Sequence, residues 1–347
     1  MKRIAIEEHF LTQELINYLC SRKEWPRWEV IKGETVDRVY WAPSFHMPMT
    51  PVLKKGLLDL EEIRLNNMDN SGIDMQVLSL SLPGIESLPA RDGTSLAKKI
   101  NNEVAQVVKK HPKRFASFAA IAPQDPAAAA GELERTVKEL GFKGAVINSQ
   151  IRGEYLDDQK FWIIFEMAEK LGVPIYLHPS QPSQDMIKPF LVYPALASAL
   201  LGFSVEAGLH AMRLICSGVF DKYPGLKIIL GHLGEAIPYF LWRMDNMWIM
   251  ENKWIKEKDS NSPTISTALK TPSQYFKNNF YVATSGMFYL PPLICAYLAL
   301  GADRILFAVD YPYESNMKAV QFMDSAPICD DDKEKIYHGN AEKLLNL

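Results

Sequence analysis

The chain is poor in cysteine: Cys20, Cys216, Cys295 and Cys329 are all it has in 347 residues, and no two stand in C-x-x-C spacing. That scarcity excludes a disulfide framework and a thiolate metal site, and leaves reduced, mostly buried thiols as the expectation. A bound metal would have to be held by nitrogen and oxygen. Long apolar runs are missing as well. None approaches the length needed to cross a bilayer, and Met1 to Phe10 lacks the apolar centre of a signal peptide, so the expected location is the cytoplasm with no membrane partner. Charge of one sign is equally scarce. A formal net charge of -3 leaves no electrostatic surplus for nucleic acid or anionic lipid, and a small molecule becomes the default partner. No glycine-rich dinucleotide fingerprint follows the first strand-like run either.

What the chain does have begins at once. Arg3 to Phe10 reads R-I-A-I-E-E-H-F, a strand-type run that ends in a carboxylate and an imidazole two residues apart. Side chains of an extended segment repeat every two residues, so Glu7 and His9 project to one side and could grip a single divalent ion. Taken alone, the pattern is also met by an edge-strand histidine beside two solvated glutamates.

Further strand-type runs follow, separated by helical stretches: Met75 to Leu80, Phe115 to Ile121, Gly144 to Asn148, Pro174 to Leu177, Leu226 to Leu230, Phe280 to Ala283 and Arg304 to Val309. Helices are expected between them, for example Ser95 to Lys110, Ala127 to Leu140 opened by Asp125-Pro126 and closed by Gly141, and Ile237 to Met250. Strand and helix alternating through eight units imply a parallel sheet, and at this length the α/β class resolves to a (β/α)8 TIM barrel in a single domain over 1–347. Two helical or irregular insertions interrupt it, 25–51 and 179–225. The first, rich in Trp and Pro, shows no period and is expected to be an irregular lid or interface element.

In such a barrel the chemistry sits where strands end. Those ends carry Glu7 and His9, Asn148, His178, His232 and Asp310. Each has a plain reading: His178 before Pro179 can cap a strand, His232 in G-H-L-G-E can fill a turn, and Asp310 before Tyr311-Pro312 can be a turn aspartate. Their coincidence at one barrel mouth points instead to a metal site.

These residues also carry a resemblance. E-x-H on strand one, H-P after strand five, G-H-x-G-E after strand six and D-Y-P after strand eight resemble the amidohydrolase superfamily. More narrowly, the chain resembles the branch of aminocarboxymuconate-semialdehyde decarboxylase and the ortho-hydroxybenzoate decarboxylases acting on γ-resorcylate, 2,3-dihydroxybenzoate and 5-carboxyvanillate. A-P-Q-D-P at Ala122, G-F-K-G at Gly141, F-D-K-Y-P at Phe220 and N-A-E-K at Asn340 extend the likeness over nearly the whole chain. The stretch from His178 through Asp185-Met186-Ile187 to Glu206, His210 and Arg213 is most similar to the 5-carboxyvanillate type.

The resemblance implies Glu7, His9, His178 and Asp310 as metal ligands and His232 with Glu235 as an acid/base pair. It assigns Arg243, in relatives sometimes delivered across a subunit boundary, and Asn148 to the substrate. Binuclear hydrolases of the superfamily carry H-x-H and a bridging lysine; Glu7 and Asn148 stand there instead, which implies one metal ion. In the 25–51 loop no arginine aligns with the one that the 5-carboxyvanillate enzymes use; Arg38 and His46 lie nearest.

Two carboxylates and two imidazoles suit Mn2+ as well as Zn2+. The implied reaction is cofactor-free, non-oxidative decarboxylation of a small aromatic carboxylate, with Asp310 delivering a proton to the ring carbon. The competing expectation is a metal-dependent hydrolase of a small cyclic amide or lactone with Asp310 as general base, and a non-catalytic ligand-binding relative is a third. Trp41, Phe45, Phe288 and Tyr313 are candidate ring clamps. Trp242, Met244, Met247 and Trp248 at helical spacing mark a core face or a subunit interface, and a homodimer or homotetramer is expected.

Overall fold

A computed structural model describes residues 1–42, 45–258 and 266–347. The first strand, β1 (Ile4–Phe10), is buried along all seven residues. Both of its faces are covered, as a parallel strand requires, and this is why it opens on an unbroken apolar run. Thr12 then caps the helix Gln13–Ser21 by accepting the Leu15 N–H.

Between this helix and the next barrel strand the chain differs from expectation. The 25–51 segment forms an antiparallel sheet of β2 (Arg27–Glu29), β3 (Asp37–Ala42) and β4 (Phe45–Met49) in the order β2-β3-β4, and Pro51 opens the helix Pro51–Leu58. Pro48 sits on β4, an edge strand, where its missing N–H costs no ladder bond.

The remaining strands are β5 (Met75–Leu80), β6 (Phe115–Ser117), β7 (Ala119–Ala120), β8 (Ala145–Asn148), β9 (Ile175–His178), β10 (Ile228–Leu230), β11 (Phe280–Ala283) and β12 (Ile305–Leu306). β1, β5 and β6 pair in parallel, as do β7 through β12 in sequence order. β6 and β7 are one expected strand broken at Phe118, whose N–H goes to Leu78 while that of Ala119 goes to Gly144. At the other seam the segment after β12 bonds back to β1, through Ile6 N–H to Phe307 (3.1 Å), Asp310 N–H to the Glu7 carbonyl (3.0 Å) and His9 N–H to Tyr311 (2.7 Å). The eight-unit arrangement read from the sequence is the arrangement found, around one contiguous apolar core.

Helix ends follow their signals in most cases. Asp125 caps Pro126–Leu140 and Gly141, at φ +74°, ends it. The helix expected from Ser95 starts earlier, at Ala90, and the one from Ile237 runs on to Lys258. The 179–225 insertion holds short 3-10 turns and the helix Gly202–Ser217.

Contrary to the reading that no run nears bilayer length, the 24 residues Pro194–Ser217 are apolar enough to qualify, with mean hydropathy 1.3. They do not form one rod. The regular helix in them has 16 residues, roughly 24 Å at 1.5 Å per residue, and it carries the buried Glu206 and His210. The thiols also depart from expectation: all four are free, but Cys20 and Cys329 are exposed and the other two half-buried.

Candidate metal centre

The strand ends do meet. Around the Glu7 Oε1 atom lie His178 Nε2 at 3.4 Å, His9 Nε2 at 3.8 Å and His232 Nε2 at 3.9 Å. Asp310 completes the cluster, with Oδ1 3.0 Å from His9 Nε2 and Oδ2 3.9 Å from His232 Nε2. Glu7 with His9 and His178, and Glu7 with His232 and Asp310, each bring three ligand atoms within 4.8 Å of one another.

The backbone makes room for this approach. A Cβ on Gly231 would lie 3.0 Å from Glu7 Oε2, so any larger residue there would press on the carboxylate. His232, Leu233, Glu235, Ala236 and Asp310 all have left-handed φ, between 51° and 77°. Such strain at non-glycine residues persists where a site requires it.

Each imidazole has its Nδ1 engaged elsewhere, which turns Nε2 inward. His9 Nδ1 meets Ser79 Oγ at 3.2 Å, His178 Nδ1 meets Asn148 Oδ1 at 2.9 Å, and His232 Nδ1 meets Glu235 Oε1 at 2.7 Å. Glu7 Oε2 accepts from the Tyr176 and Ser285 hydroxyls. That leaves Glu7 Oε1 and His9 Nε2 buried with no hydrogen-bond partner of acceptable geometry. Orphaned lone pairs converging from imidazole and carboxylate are what a borderline divalent cation satisfies, so the residues present fit one metal ion held by Glu7, His9, His178 and Asp310.

Without a cation, protons and counter-charges balance the cluster. Burial works against ionising Glu7, but the imidazoles of His178, His232 and His9 around it hold its carboxyl well below the usual range. Asp310 is likewise lowered against burial, through His232 and His9. Burial opposes protonation of His9 too, yet Asp310 and Glu7 raise it to about 9.

A metal ligand must shed that proton, so cation affinity should depend on pH. Below about 9 the proton competes and above it the competition ends. The apparent Mn2+ affinity is therefore expected to rise about tenfold per unit as pH climbs from 7 toward 9. Titration calorimetry in buffers of different ionisation enthalpy should find at least one proton released per ion, and a pH-independent affinity would contradict this.

Beside the cluster lies a cavity of about 130 Å3 lined by His9, His178, His232, Asp310, Tyr313 and Glu314, among others. Both insertions roof it, through Met47 and through Ala199 and Phe203. An engineered apolar cavity of roughly 150 Å3 holds one benzene ring, so this one suits a single-ring compound.

Several assignments change at this scale. Asn148 does not line the cavity; its amide is engaged by His178 and Glu86, which makes it a support for a ligand and removes it as a substrate group. Arg243 is exposed on the helix Ile237–Lys258, away from the cavity, and makes no hydrogen bond or ion pair among the described residues. Of the ring clamps only Tyr313 reaches the cavity; Trp41 and Phe45 pack on each other in the core, and Phe288 packs on Phe322.

Arg38 pairs with Glu34 and His46 stacks on Tyr40, so neither reaches the cavity. Glu206 and His210 do not line it; both are buried and tie the insertion to Ser149, Tyr155 and Leu156. Sequence reading missed Ser79, Glu86, Tyr176, Ser285 and Glu314. For Glu314 the D-Y-P-Y-E run was a usable signal; the others lie in no motif.

The chain as a whole is similar to known proteins. The amidohydrolase family model matches residues 46–347. A gamma-resorcylate decarboxylase of Polaromonas sp. is 38% identical, the match covering 99% of this chain and 98% of that one. A 2,6-dihydroxybenzoate decarboxylase solved with 2,6-dihydroxybenzoate superposes with a TM-score of 0.85 at 35% identity, over 100% of both chains. The 5-carboxyvanillate decarboxylase of Novosphingobium aromaticivorans, solved with manganese and 4-hydroxy-3-methoxy-5-nitrobenzoic acid, gives 0.86 at 34% identity over 100% of this chain and 96% of that one. This chain belongs to the amidohydrolase family, in its decarboxylase branch.

Proposed function

We propose that this protein is a divalent-metal-dependent carboxy-lyase that decarboxylates a single-ring ortho-hydroxybenzoate without an organic cofactor. The observation that carries the reading is the convergence of three imidazole Nε2 atoms and two carboxylates on a one-ring cavity, in a chain 38% identical to a gamma-resorcylate decarboxylase. A divalent cation, manganese in the solved relative, would be held by Glu7, His9, His178 and Asp310 and would supply the positive charge that binds and orients an anionic substrate.

The protein's own groups then manage the proton. His232 is the reservoir: burial opposes its protonation, but the Glu235 carboxylate raises its proton affinity well above the ordinary value. With Nδ1–H donated to Glu235, its Nε2–H faces Asp310. Asp310 passes the proton to the ring carbon bearing the carboxylate. The C–C bond then breaks, its electron pair stays with the ring and restores aromaticity, and CO2 leaves. Glu314 also lines the cavity, and no Lys or Arg among the described residues does, which disfavours a substrate with a second carboxylate and favours a dihydroxybenzoate such as 2,6-dihydroxybenzoate.

The test is to incubate the manganese-loaded protein in D2O with 2,6-dihydroxybenzoate, 2,3-dihydroxybenzoate and 5-carboxyvanillate. Released CO2 and one deuterium at the vacated ring carbon are expected. Ring opening with water uptake, or no release from any of the three, would overturn the reading.

Because no Lys or Arg among the described residues lines the cavity, a basic side chain for the substrate can come from a second copy. Tyr239, Trp242 and Arg243 share one side of Ile237–Lys258, where Tyr239 and Trp242 are 76% and 77% exposed. A homo-oligomer built on this face would bring Arg243 to the neighbouring cavity. Trp242→Glu is then expected to dissociate the assembly in light scattering and to raise KM roughly 30-fold or more through loss of a hydrogen-bonded charge pair, about 2 kcal/mol at the least. A wild-type protein that scatters as a monomer would remove this role for Arg243.

A further inference from the structure

Glu86 lies in the loop after β5, is 2% exposed, and has no contact with the cavity. Its carboxylate is nevertheless fully engaged. Oε1 accepts the backbone N–H of Asn148 at 2.8 Å and its side-chain Nδ2–H at 3.0 Å, while Oε2 accepts the Ile85 N–H at 2.8 Å. The backbone is shaped around it: Gly84 has φ +65°, and a Cβ there would lie 2.1 Å from Glu86 Oε2 and 2.6 Å from Asn148 Nδ2. Any other residue at 84 would expel one of these groups.

The chemical consequence follows from donor and acceptor types. Glu86 Oε1 faces two N–H groups of Asn148 and serves only as an acceptor, so the Asn148 amide must turn its NH2 toward Glu86. Its carbonyl oxygen is then left for His178, 2.9 Å from Nδ1. A carbonyl also only accepts, so Nδ1 must carry the proton and Nε2 must present its lone pair toward Glu7.

We propose that Glu86 is a positioning residue for the metal centre: through Asn148 it fixes which nitrogen of His178 is available as a ligand. The inference rests on the metal-centre reading above. An amide between carboxylate and imidazole selects the tautomer while leaving the ring neutral, whereas the direct Glu235–His232 pair favours a charged ring. Two imidazoles of one cluster are thereby given different work, ligand and proton carrier.

The test uses full-length protein labelled with 15N in histidine, together with Mn2+ titration. Wild-type His178 should show a protonated Nδ1 in its 15N shifts. Glu86→Ala frees the Asn148 amide to turn, so His178 should become a mixture of tautomers and Mn2+ affinity should fall roughly 10–100-fold, with the His232 signals unchanged. Glu86→Gln keeps an oxygen toward Asn148 and places its NH2 against the Ile85 N–H. It should lower the melting temperature yet leave the His178 signals as in wild type.

If Glu86→Ala does not fold, Asn148→Leu breaks the relay from its other end and must produce the same loss of affinity and the same mixed tautomer. An Nε2–H His178 in wild type, or unchanged His178 signals in both Glu86→Ala and Asn148→Leu, overturns the proposal. The 15N measurement on metal-free protein stands even if the wild type binds no Mn2+, so failure of the metal-centre reading is separately visible.

Discussion

Asp310→Asn should retain the fold and lose turnover. Asparagine fills the same space and still offers one oxygen, but it cannot carry a proton between His232 and the ring. The loss in kcat is expected to be on the order of 10^2–10^4, the usual weight of a positioned acid/base group. KM should change much less, because the cation and the cavity walls that bind the ring remain.

The resting state explains why the effect should be this large. Burial pushes the Asp310 carboxyl upward, but the His232 and His9 imidazoles that face it bring it below its ordinary value, so the group stands empty of its proton until one is delivered. It is a conduit fed by the Glu235–His232 pair, and Glu7, the other carboxyl that faces both His9 and His232, does not line the cavity. Stopped-flow detection of CO2 with 2,6-dihydroxybenzoate measures it, and a variant decarboxylating at the wild-type rate would refute the assignment.

How the site could be read before the structure depends on what fixes each residue. Glu7 and His9 were legible because a strand has a period of two and nothing later in the chain alters it. His178, His232 and Asp310 were legible because each ends an apolar run at a Pro or Gly signal, and parallel strands in a barrel put such ends together.

Asn148 was found but given the wrong task, since an amide has two faces and Glu86, 62 residues earlier, decides which one points at His178. The antiparallel sheet of β2 to β4 was hidden because Pro48 and the turn at Gly33 break its alternation, and short edge strands tolerate both. Aromatic clamps were misjudged for a related reason. Trp41, Phe45 and Phe288 are apolar enough for core or cavity, and tertiary packing alone chose the core for the first two and Phe322 for the third.

Glu7→Gln should separate folding from metal binding more cleanly than any histidine replacement. The Tyr176 and Ser285 hydroxyls that donate to Glu7 Oε2 can rotate to accept from an amide, so glutamine is accommodated on that side. On the other side Oε1 faces three Nε2 atoms at 3.4–3.9 Å with no protein donor, and there the negative charge is the whole interaction. Removing one member of a buried charged set costs about 3–5 kcal/mol, which is roughly two to three and a half decades in Mn2+ affinity.

Thermal unfolding gives a readout independent of turnover. Wild-type protein in 100-fold excess of Mn2+ over Kd should gain about 2.7 kcal/mol of stability from mass action, seen as a rise of a few degrees in Tm. Glu7→Gln should show almost none of that rise at the same concentration while unfolding cooperatively near the wild-type metal-free temperature. A Glu7→Gln protein that still gains the full increment would mean that the cation is held without the carboxylate that ends β1.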